Sequence, residues 1–98
     1  MRINVVGKHF EVTEPIREHA EKKAEKLPRH FNFVQLVTIR LSKEPHNTGF
    51  HVEIVCDVEH HNDFVASSSG TDMYLAIDDA VEKIDRQLAS FKERLKDG

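Results

Sequence analysis

The sequence predicts an α+β fold, a two-layer sandwich in which a four-stranded mixed sheet carries two helices on one face. Strand-like and helix-like segments follow one another in the order β-α-β-β-β-α along 98 residues, a length that suits one domain spanning residues 1–98. Each of the two helical segments has an apolar stripe that must be covered. The long strands alternate apolar with polar residues, so one sheet face can cover the stripes while the other meets water.

The chain begins with a strand-helix-strand unit. Its first strand is predicted over Arg2–Val6 and ends at Gly7, and its helix begins behind Thr13, whose hydroxyl can cap the first turn. The helix should stop at Leu27, because the residue before a proline, here Pro28, disfavours the helical conformation. A right-handed crossover makes the strands on either side of the helix parallel. The apolar stripe of this helix consists of Ile16, Ala20, Ala24 and Leu27.

The remaining strands are expected to form a meander. The second strand covers Val34–Lys43, and residues 44–49 have the composition of a turn that leads into a third strand, Phe50–Glu59. Residues 60–63 turn the chain into the last strand, Phe64–Ser69. The second strand should present on one face Gln35, Val37, Ile39 and Leu41. The third should present on its apolar face Phe50, Val52, Ile54, Cys56 and Val58.

The segment Gly70–Leu95 predicts the longest helix, with Gly70 as the break after the last strand and Thr71 as the N-cap. Its apolar residues recur every three or four positions, which keeps one face dry over about five turns. These residues are Ile77, Val81, Ile84, Leu88, Phe91 and Leu95. The charged positions separate onto two flanks, a basic one with Lys83, Arg86 and Arg94 and an acidic one with Asp78, Glu82, Asp85 and Glu93.

The first helix also has a basic flank, which contains Lys22, Lys23 and Lys26. Both helices should run in the same direction, so their basic flanks share one rotational sense and can form a single surface. Such a surface is typical of proteins that bind the phosphate backbone of a nucleic acid. Charge runs are more often solvated faces with i,i+4 pairs such as Glu18–Lys22, and on these residues alone that interpretation is favoured.

The composition limits the class of protein. A formal net charge of −3 differs from the strong positive charge of dedicated nucleic-acid-binding domains, so any such binding must come from local patches. The sequence has no apolar stretch long enough for a transmembrane helix or a signal peptide. A single cysteine, Cys56, excludes an internal disulfide and indicates the cytoplasm.

A histidine-rich segment raises the alternative of a metal site. The spacing lacks the tight ligand pairs that zinc prefers, and His51 and Cys56 should face opposite sides of a strand. The chain also lacks the nucleophile-elbow, P-loop and dinucleotide motifs. We therefore expect no metal, no cofactor and no enzymatic activity. The residues of the segment that could bind a metal are His51, Cys56, Asp57, His60, His61 and Asp63.

Two groups of residues resemble a known family. The run Asp72–Asp78, with the sequence Asp-Met-Tyr-x-Ala-Ile-Asp, is followed by basic positions at 83, 86 and 92. Together they resemble the C-terminal helix of ribosome hibernation promoting factors and ribosome-associated translation inhibitors. In the N-terminal half, the family's first helix is matched by Gly7, Val12-Thr13-Glu14, Lys23-x-x-Lys26-Leu27 and Phe31. The resemblance covers essentially the whole chain.

The resemblance implies a fold similar to double-stranded RNA-binding domains and a non-enzymatic factor of the stress response and stationary phase. Members of this family bind the small ribosomal subunit in the channel between its head and body, where they overlap the messenger path and the A- and P-site tRNA positions. This binding inhibits translation and stores ribosomes in an inactive form, often as dimers. The absence of a second domain or an acidic tail implies a short form that promotes ribosome pairing. We expect the protein itself to be a monomer without a membrane or small-molecule partner.

The resemblance also implies a set of rRNA-binding residues. Phosphate-contacting positions of the family are occupied by Lys22, Lys23, Lys26, Lys83, Arg86 and Lys92, and we add Arg29 and Arg94 beside them. Ser90 departs from the family, which often has a lysine or arginine there. The alternative function is a generic protein-interaction module that uses the open sheet face or the histidine-rich turn.

Overall fold

The sheet and its helices follow the predicted order. In the computed structural model, which describes residues 2–46 and 48–97, the elements are β1 (Arg2–Lys8), α1 (Glu14–Ala24), α2 (Lys26–His30), β2 (Val34–Lys43), β3 (Phe50–Val58), β4 (Phe64–Gly70) and α3 (Met73–Asp97). The strands lie in the order β1-β2-β3-β4, with β1 parallel to β2 and the other neighbouring pairs antiparallel. This confirms the α+β fold with a mixed four-stranded sheet, to which the short helix α2 is an addition.

The hydrophobic core lies between one face of the sheet and the helices. Successive side chains of a strand face opposite ways, so alternate residues of the central strands point into this core. Those with no exposed surface are Val37, Ile39, Leu41, Val52, Ile54 and Cys56. The helices contribute to the same core Ala20, Ala24, Leu27, Ile77, Ala80, Ile84 and Leu88. The second face of the sheet, which we call the open face, points away from the helices.

The helices α1 and α3 lie side by side and run in the same direction, as predicted. His19 in the second turn of α1 contacts Asp78 in the second turn of α3. The carbonyl of His30, at the end of α2, accepts a hydrogen bond from Lys92 in the last part of α3. Contacts that join start to start and end to end require parallel helices.

The first predicted helix is divided into two. α1 ends at Ala24 and α2 begins at Lys26, so the predicted end at Leu27 is wrong. Pro28 explains the break, because it has no N–H for the Ala24 carbonyl and its ring would clash there in a continuous helix. The first turn of α2 tolerates the same proline, since N–H groups at a helix start have no partner within the helix. Thr13 occupies the N-cap of α1, but its hydroxyl makes no capping hydrogen bond.

Asp72, rather than Thr71, caps α3. Its Oδ1 accepts hydrogen bonds from the Tyr74 N–H at 2.9 Å and the Leu75 N–H at 3.3 Å. Because α3 begins at Met73, these are the second and third N–H groups of the helix, which a capping side chain normally reaches. The prediction of Thr71 as the cap is therefore wrong by one residue.

Smaller differences concern single positions. β1 continues through Gly7, where a Cβ would lie 2.0 Å from the Phe10 carbonyl oxygen, so this glycine makes room for the next loop. A β-bulge between positions 34 and 36 removes Gln35 from the predicted alternation and leaves Val34 buried instead. Leu95 is 56% exposed and does not belong to the dry stripe of α3. β3 ends at position 58 and β4 at position 70, each one residue from the predicted end.

Candidate nucleic-acid interface

The predicted rRNA-binding residues at the end of α1 and the start of α2 form one group, which we call the α1 lysines: Lys22, Lys23 and Lys26. Ala20 and Ala24 of the same helix are fully buried, so the helix presents its other positions to solvent or to α3. Lys22 and Lys23 are exposed and Lys26 is half-buried. Glu25, which joins the two helices, keeps helical backbone angles, so Lys22 and Lys26, four residues apart, are neighbours on the surface.

An acidic side chain of α3, that of Asp78, lies against the flank of α1 that carries Lys23. Asp78 Oδ1 accepts a hydrogen bond from His19 Nε2 at 2.7 Å and lies 3.9 Å from Lys23 Nζ. The His19 ring also lies edge-on against the Tyr74 ring at a centroid distance of 5.0 Å. One member of the acidic flank of α3, Asp78, therefore faces the basic flank of α1 and interrupts the single basic surface expected from their shared rotational sense. His19 was not predicted, although its spacing of four residues from Lys23 puts it on the same flank.

The basic residues of α3 that we call the α3 flank, Lys83, Arg86 and Arg94, lie on the other side of that helix. Lys83 Nζ donates to the Ser67 carbonyl oxygen at 3.0 Å, and Gln87 Nε2 donates to another β4 carbonyl at 3.0 Å. β4 is an edge strand, and these bonds occupy carbonyl groups that an edge strand leaves open. Lys83 therefore also has a structural role.

Asp79 compensates part of the charge on the α3 flank. Its Oδ2 accepts a hydrogen bond of 2.7 Å from the Ser68 hydroxyl and lies 3.3 Å from Lys83 Nζ. The bond from Ser68, followed by that from Lys83, holds the pKa of the Asp79 carboxyl below its ordinary value. The carboxylate is thus ionised at neutral pH and lowers the positive potential around Lys83.

Lys92 and Arg29 form a third group, which we call the basic end. Lys92 Nζ donates to the His30 carbonyl oxygen at 3.3 Å and lies 5.8 Å from the centre of the Phe31 ring. The Lys92 side chain therefore extends from α3 to the end of α2. The Arg29 side chain is 71% exposed and lies 3.9 Å from Glu25, a distance that allows only a weak surface ion pair.

The predicted site residues thus lie in three groups. They differ in whether a nearby carboxylate compensates their positive charge. Lys23, Arg29 and Lys83 each have a carboxylate within 4.0 Å. Within residues 2–46 and 48–97, no such ion pair is formed by Lys22, Lys26, Arg86, Lys92 or Arg94. Lys92 is engaged by the His30 carbonyl and the Phe31 ring, so we call the other four the unpaired cations. The charge of one of them, Arg86, also acts on Asp79 and helps to lower the pKa of that carboxyl.

The open face holds a polar network that sequence reasoning missed. His51 Nδ1 lies 3.0 Å from Ser69 Oγ, whose hydroxyl donates to Glu44 at 2.8 Å, and Arg40 donates to Glu53 at 2.9 Å. Serine, histidine and glutamate also form catalytic triads, but a triad uses both nitrogens of the ring. Here Ser69 and Glu44 both approach Nδ1, the glutamate at 3.6 Å. The geometry is that of a surface network rather than an activated nucleophile.

The cysteine of the third strand is a core residue. Burial, together with the nearby Asp63 charge, raises the pKa of the Cys56 thiol to about 12, so it remains protonated at neutral pH. Among the residues that the structure describes, no three His, Cys, Asp or Glu side chains are placed to hold a metal ion together. In the same part of the chain, no helix has the length and apolar character needed to cross a bilayer.

A comparison with known families identifies the chain. The model of the Sigma 54 modulation protein / S30EA ribosomal protein family matches residues 3–96. The chain belongs to this family.

Several relatives of this S30EA family member are ribosome hibernation promoting factors. The chain is 32% identical to that of Escherichia coli strain K12 over 98 residues, which cover 98% of both chains. It is 34% identical to that of Salmonella typhimurium, again over 98% of both chains. The Azotobacter vinelandii factor is 33% identical, with 96% of this chain and 85% of the relative covered. These matches confirm the resemblance drawn from the Asp72–Asp78 run and the first helix.

Solved structures share the fold of this S30EA family member. A ribosomal subunit interface protein from Coxiella burnetii superimposes with a TM-score of 0.84 at 21% identity, over 95% of this chain and 99% of the other. The N-terminal domain of Thermus thermophilus Protein Y superimposes with a TM-score of 0.79 at 28% identity, over 93% and 99%. The sandwich is therefore the common scaffold that presents the helix layer.

Proposed function

We propose that this member of the S30EA family is a ribosome hibernation factor that acts in the cytoplasm under stress or in stationary phase. It binds rRNA of the small subunit in the decoding and tRNA channel, blocks translation by occupying that channel, and keeps ribosomes stored in an inactive form. The protein acts as a monomer, by binding alone, without catalysis or a cofactor. It promotes the pairing of ribosomes.

The observation that carries this proposal is the similarity to ribosome hibernation promoting factors over 98% of both chains. The chemistry of the helix layer supports it. A-form RNA hides the base edges of its major groove, so a folded domain recognises it by shape and phosphate contacts. Exposed lysines and arginines on two parallel helices provide such contacts, and the unpaired Lys22, Lys26, Arg86 and Arg94 are the first candidates.

The salt dependence of ribosome binding reports how many cations take part. The logarithm of the binding constant falls against the logarithm of salt concentration with a slope of roughly −0.7 to −0.9 per neutralised phosphate. If the four unpaired cations carry the interaction, we expect a slope of roughly −3. If all eight predicted residues contribute equally, the slope should be roughly −6 to −7.

Cosedimentation with ribosomes across a salt series tests the surface. We expect Lys22→Glu/Lys26→Glu and Arg86→Glu/Arg94→Glu each to weaken binding and to make the salt slope shallower by about 2. Arg86 and Arg94 are better targets than Lys83, because Lys83 also covers a carbonyl of β4. Sucrose gradients of the same mixtures show whether the wild-type protein produces a ribosome dimer peak.

A matched control lies at the end of the sheet where β1 and β2 finish, outside the predicted site. Lys8 and Lys43 are exposed at the ends of β1 and β2, and Lys8→Glu/Lys43→Glu changes the net charge by the same amount. This control should bind ribosomes as the wild type does. Equal loss from the control and the helix variants would mean that net charge alone decides binding. Loss from the control alone would move the interface to the end of the sheet that carries Lys8 and Lys43 and refute the proposal.

A further inference from the structure

One end of the sandwich carries a group of rings, which we call the aromatic end: Phe31, Phe33, His61, Phe64 and Phe91. Neighbouring ring centroids lie between 4.5 and 5.8 Å apart. The rings come from the loop after α2, the turn between β3 and β4, the start of β4 and the last part of α3. Elements distant in sequence therefore converge on one surface.

The outermost ring of the aromatic end is an exposed histidine. Phe31 is only 5% exposed, and Phe33, Phe64 and Phe91 are half-buried, so these phenylalanines close the core. His61 is exposed and lies parallel to the Phe64 ring, at an interplanar angle of 2° and a centroid distance of 4.8 Å. An exposed ring held flat on another ring provides a platform on which a third planar group can stack.

A hydrogen bond fixes the orientation of this platform. His61 Nδ1 lies 2.7 Å from the Asn62 carbonyl oxygen. A carbonyl only accepts, so Nδ1 donates this hydrogen bond, and Nε2 is the ring nitrogen that is left for another partner. The ring is thus held in place with a polar atom available to a ligand.

Charge around the aromatic end is asymmetric. Lys92 Nζ lies 5.8 Å from the centre of the Phe31 ring, and the exposed Arg29 directly precedes His30, whose carbonyl Lys92 contacts. Glu59 and Asp63 lie on the turn that carries His61. An anionic group of a ligand is therefore favoured beside Lys92 and disfavoured beside the turn.

We propose that the aromatic end binds an unpaired RNA base, stacked on His61 with its phosphate beside Lys92. The inference rests on the proposed function and adds base stacking to the phosphate contacts of the helices. Rings beside cations are the chemistry of single-stranded RNA recognition, because an unpaired base offers a face that a duplex hides. An apolar segment of a partner protein would use the rings but not the cations of the basic end.

Fluorescence anisotropy with a dye-labelled, single-stranded oligoadenylate tests the proposal, with an RNA duplex of equal length for comparison. We expect His61→Ala to weaken oligoadenylate binding by roughly 5- to 150-fold, the range that removal of one stacking ring produces. His61→Phe should restore most of the binding, because it keeps a stacking ring. Duplex binding should be unchanged in both variants.

The neighbouring histidine provides the matched control. The His60 side chain is 88% exposed, and its backbone has a positive φ of 60°, which asparagine tolerates. His60→Asn should therefore bind oligoadenylate as the wild type does. In NMR spectra of the wild type, oligoadenylate should shift the His61 ring protons upfield through the ring current of the stacked base.

The outcomes separate this inference from the proposed function. The inference is overturned if His61→Ala binds oligoadenylate as the wild type does, or if His61→Phe is as weak as His61→Ala. In either case, loss of ribosome binding in Lys22→Glu/Lys26→Glu would leave the proposed function intact. If that double variant keeps full ribosome binding while oligoadenylate binding still depends on His61, the proposed function fails and the stacking site stands.

Discussion

Replacement of Asp72 by alanine should destabilise the protein by about 1–2 kcal/mol, because one carboxylate oxygen serves two N–H groups at the start of α3. The loss comes from the missing cap and from the missing negative charge at the positive end of the helix dipole. In a domain of this size, each kcal/mol lowers the midpoint of thermal unfolding by roughly 4–8 °C. Urea unfolding followed by far-UV circular dichroism gives the free energy, and a thermal scan gives the midpoint.

Two variants separate the contributions to this effect. Asp72→Asn keeps an acceptor oxygen but removes the charge, so it should cost only about 0.3–1 kcal/mol. Thr71→Ala should change the free energy of unfolding by no more than about 0.5 kcal/mol, because Thr71 does not cap the helix. If Thr71→Ala were the more destabilising substitution, the cap would be the residue that the sequence pattern predicts, and our assignment of Asp72 would be wrong.

Two further predictions concern other positions. Gly7→Ala should cost about 1–3 kcal/mol in urea unfolding, since its Cβ would lie 2.0 Å from a backbone carbonyl oxygen. The matched Gly70→Ala meets nothing within 4 Å and should change stability by less than about 0.5 kcal/mol. Asp79 has a lowered pKa, so its contribution to stability is present above its unfolded-state pKa and disappears as the pH falls through the folded-state value. The difference in stability between Asp79→Asn and the wild type should therefore shrink below about pH 4, and a difference constant from neutral to acid pH would contradict this account.

The order of elements was predictable because the apolar residues of each strand or helix repeat with a period that can be recognised within that segment alone. Alternation in β2 and β3, and a repeat of three and four in α3, do not depend on the rest of the chain. The errors arose at positions whose structure depends on atoms outside this local pattern. Pro28 was expected to end a helix, yet it sits in the first turn of a second one. Leu95 continues the apolar repeat of α3, but no core covers it at that distance along the helix.

The candidate site was predictable in a different sense. Exposure of the lysines and arginines follows from helix periodicity, and seven of the eight predicted residues are exposed, while Lys26 is half-buried. Their pairing does not follow from it, because the partners lie on other elements. Asp78 of α3 lies close to Lys23 of α1, and the Ser67 carbonyl that Lys83 contacts belongs to β4. Such pairs exist only after the sheet has brought the helices together.

These pairs also bear on the proposed RNA-binding surface, which a chain with a net charge of −3 must form from local patches of cations. Asp78 lies between α3 and α1, and Asp79 lies beside the edge strand β4. Each of them has one lysine Nζ within 4.0 Å. A lysine that is already held loses less conformational freedom when it meets a phosphate, although the phosphate must compete with the carboxylate. An unpaired side chain such as Arg86 keeps its full charge but must be ordered on binding. Under the proposed function, we therefore expect the paired cations to fix the position of the RNA and the unpaired cations to supply most of the attraction.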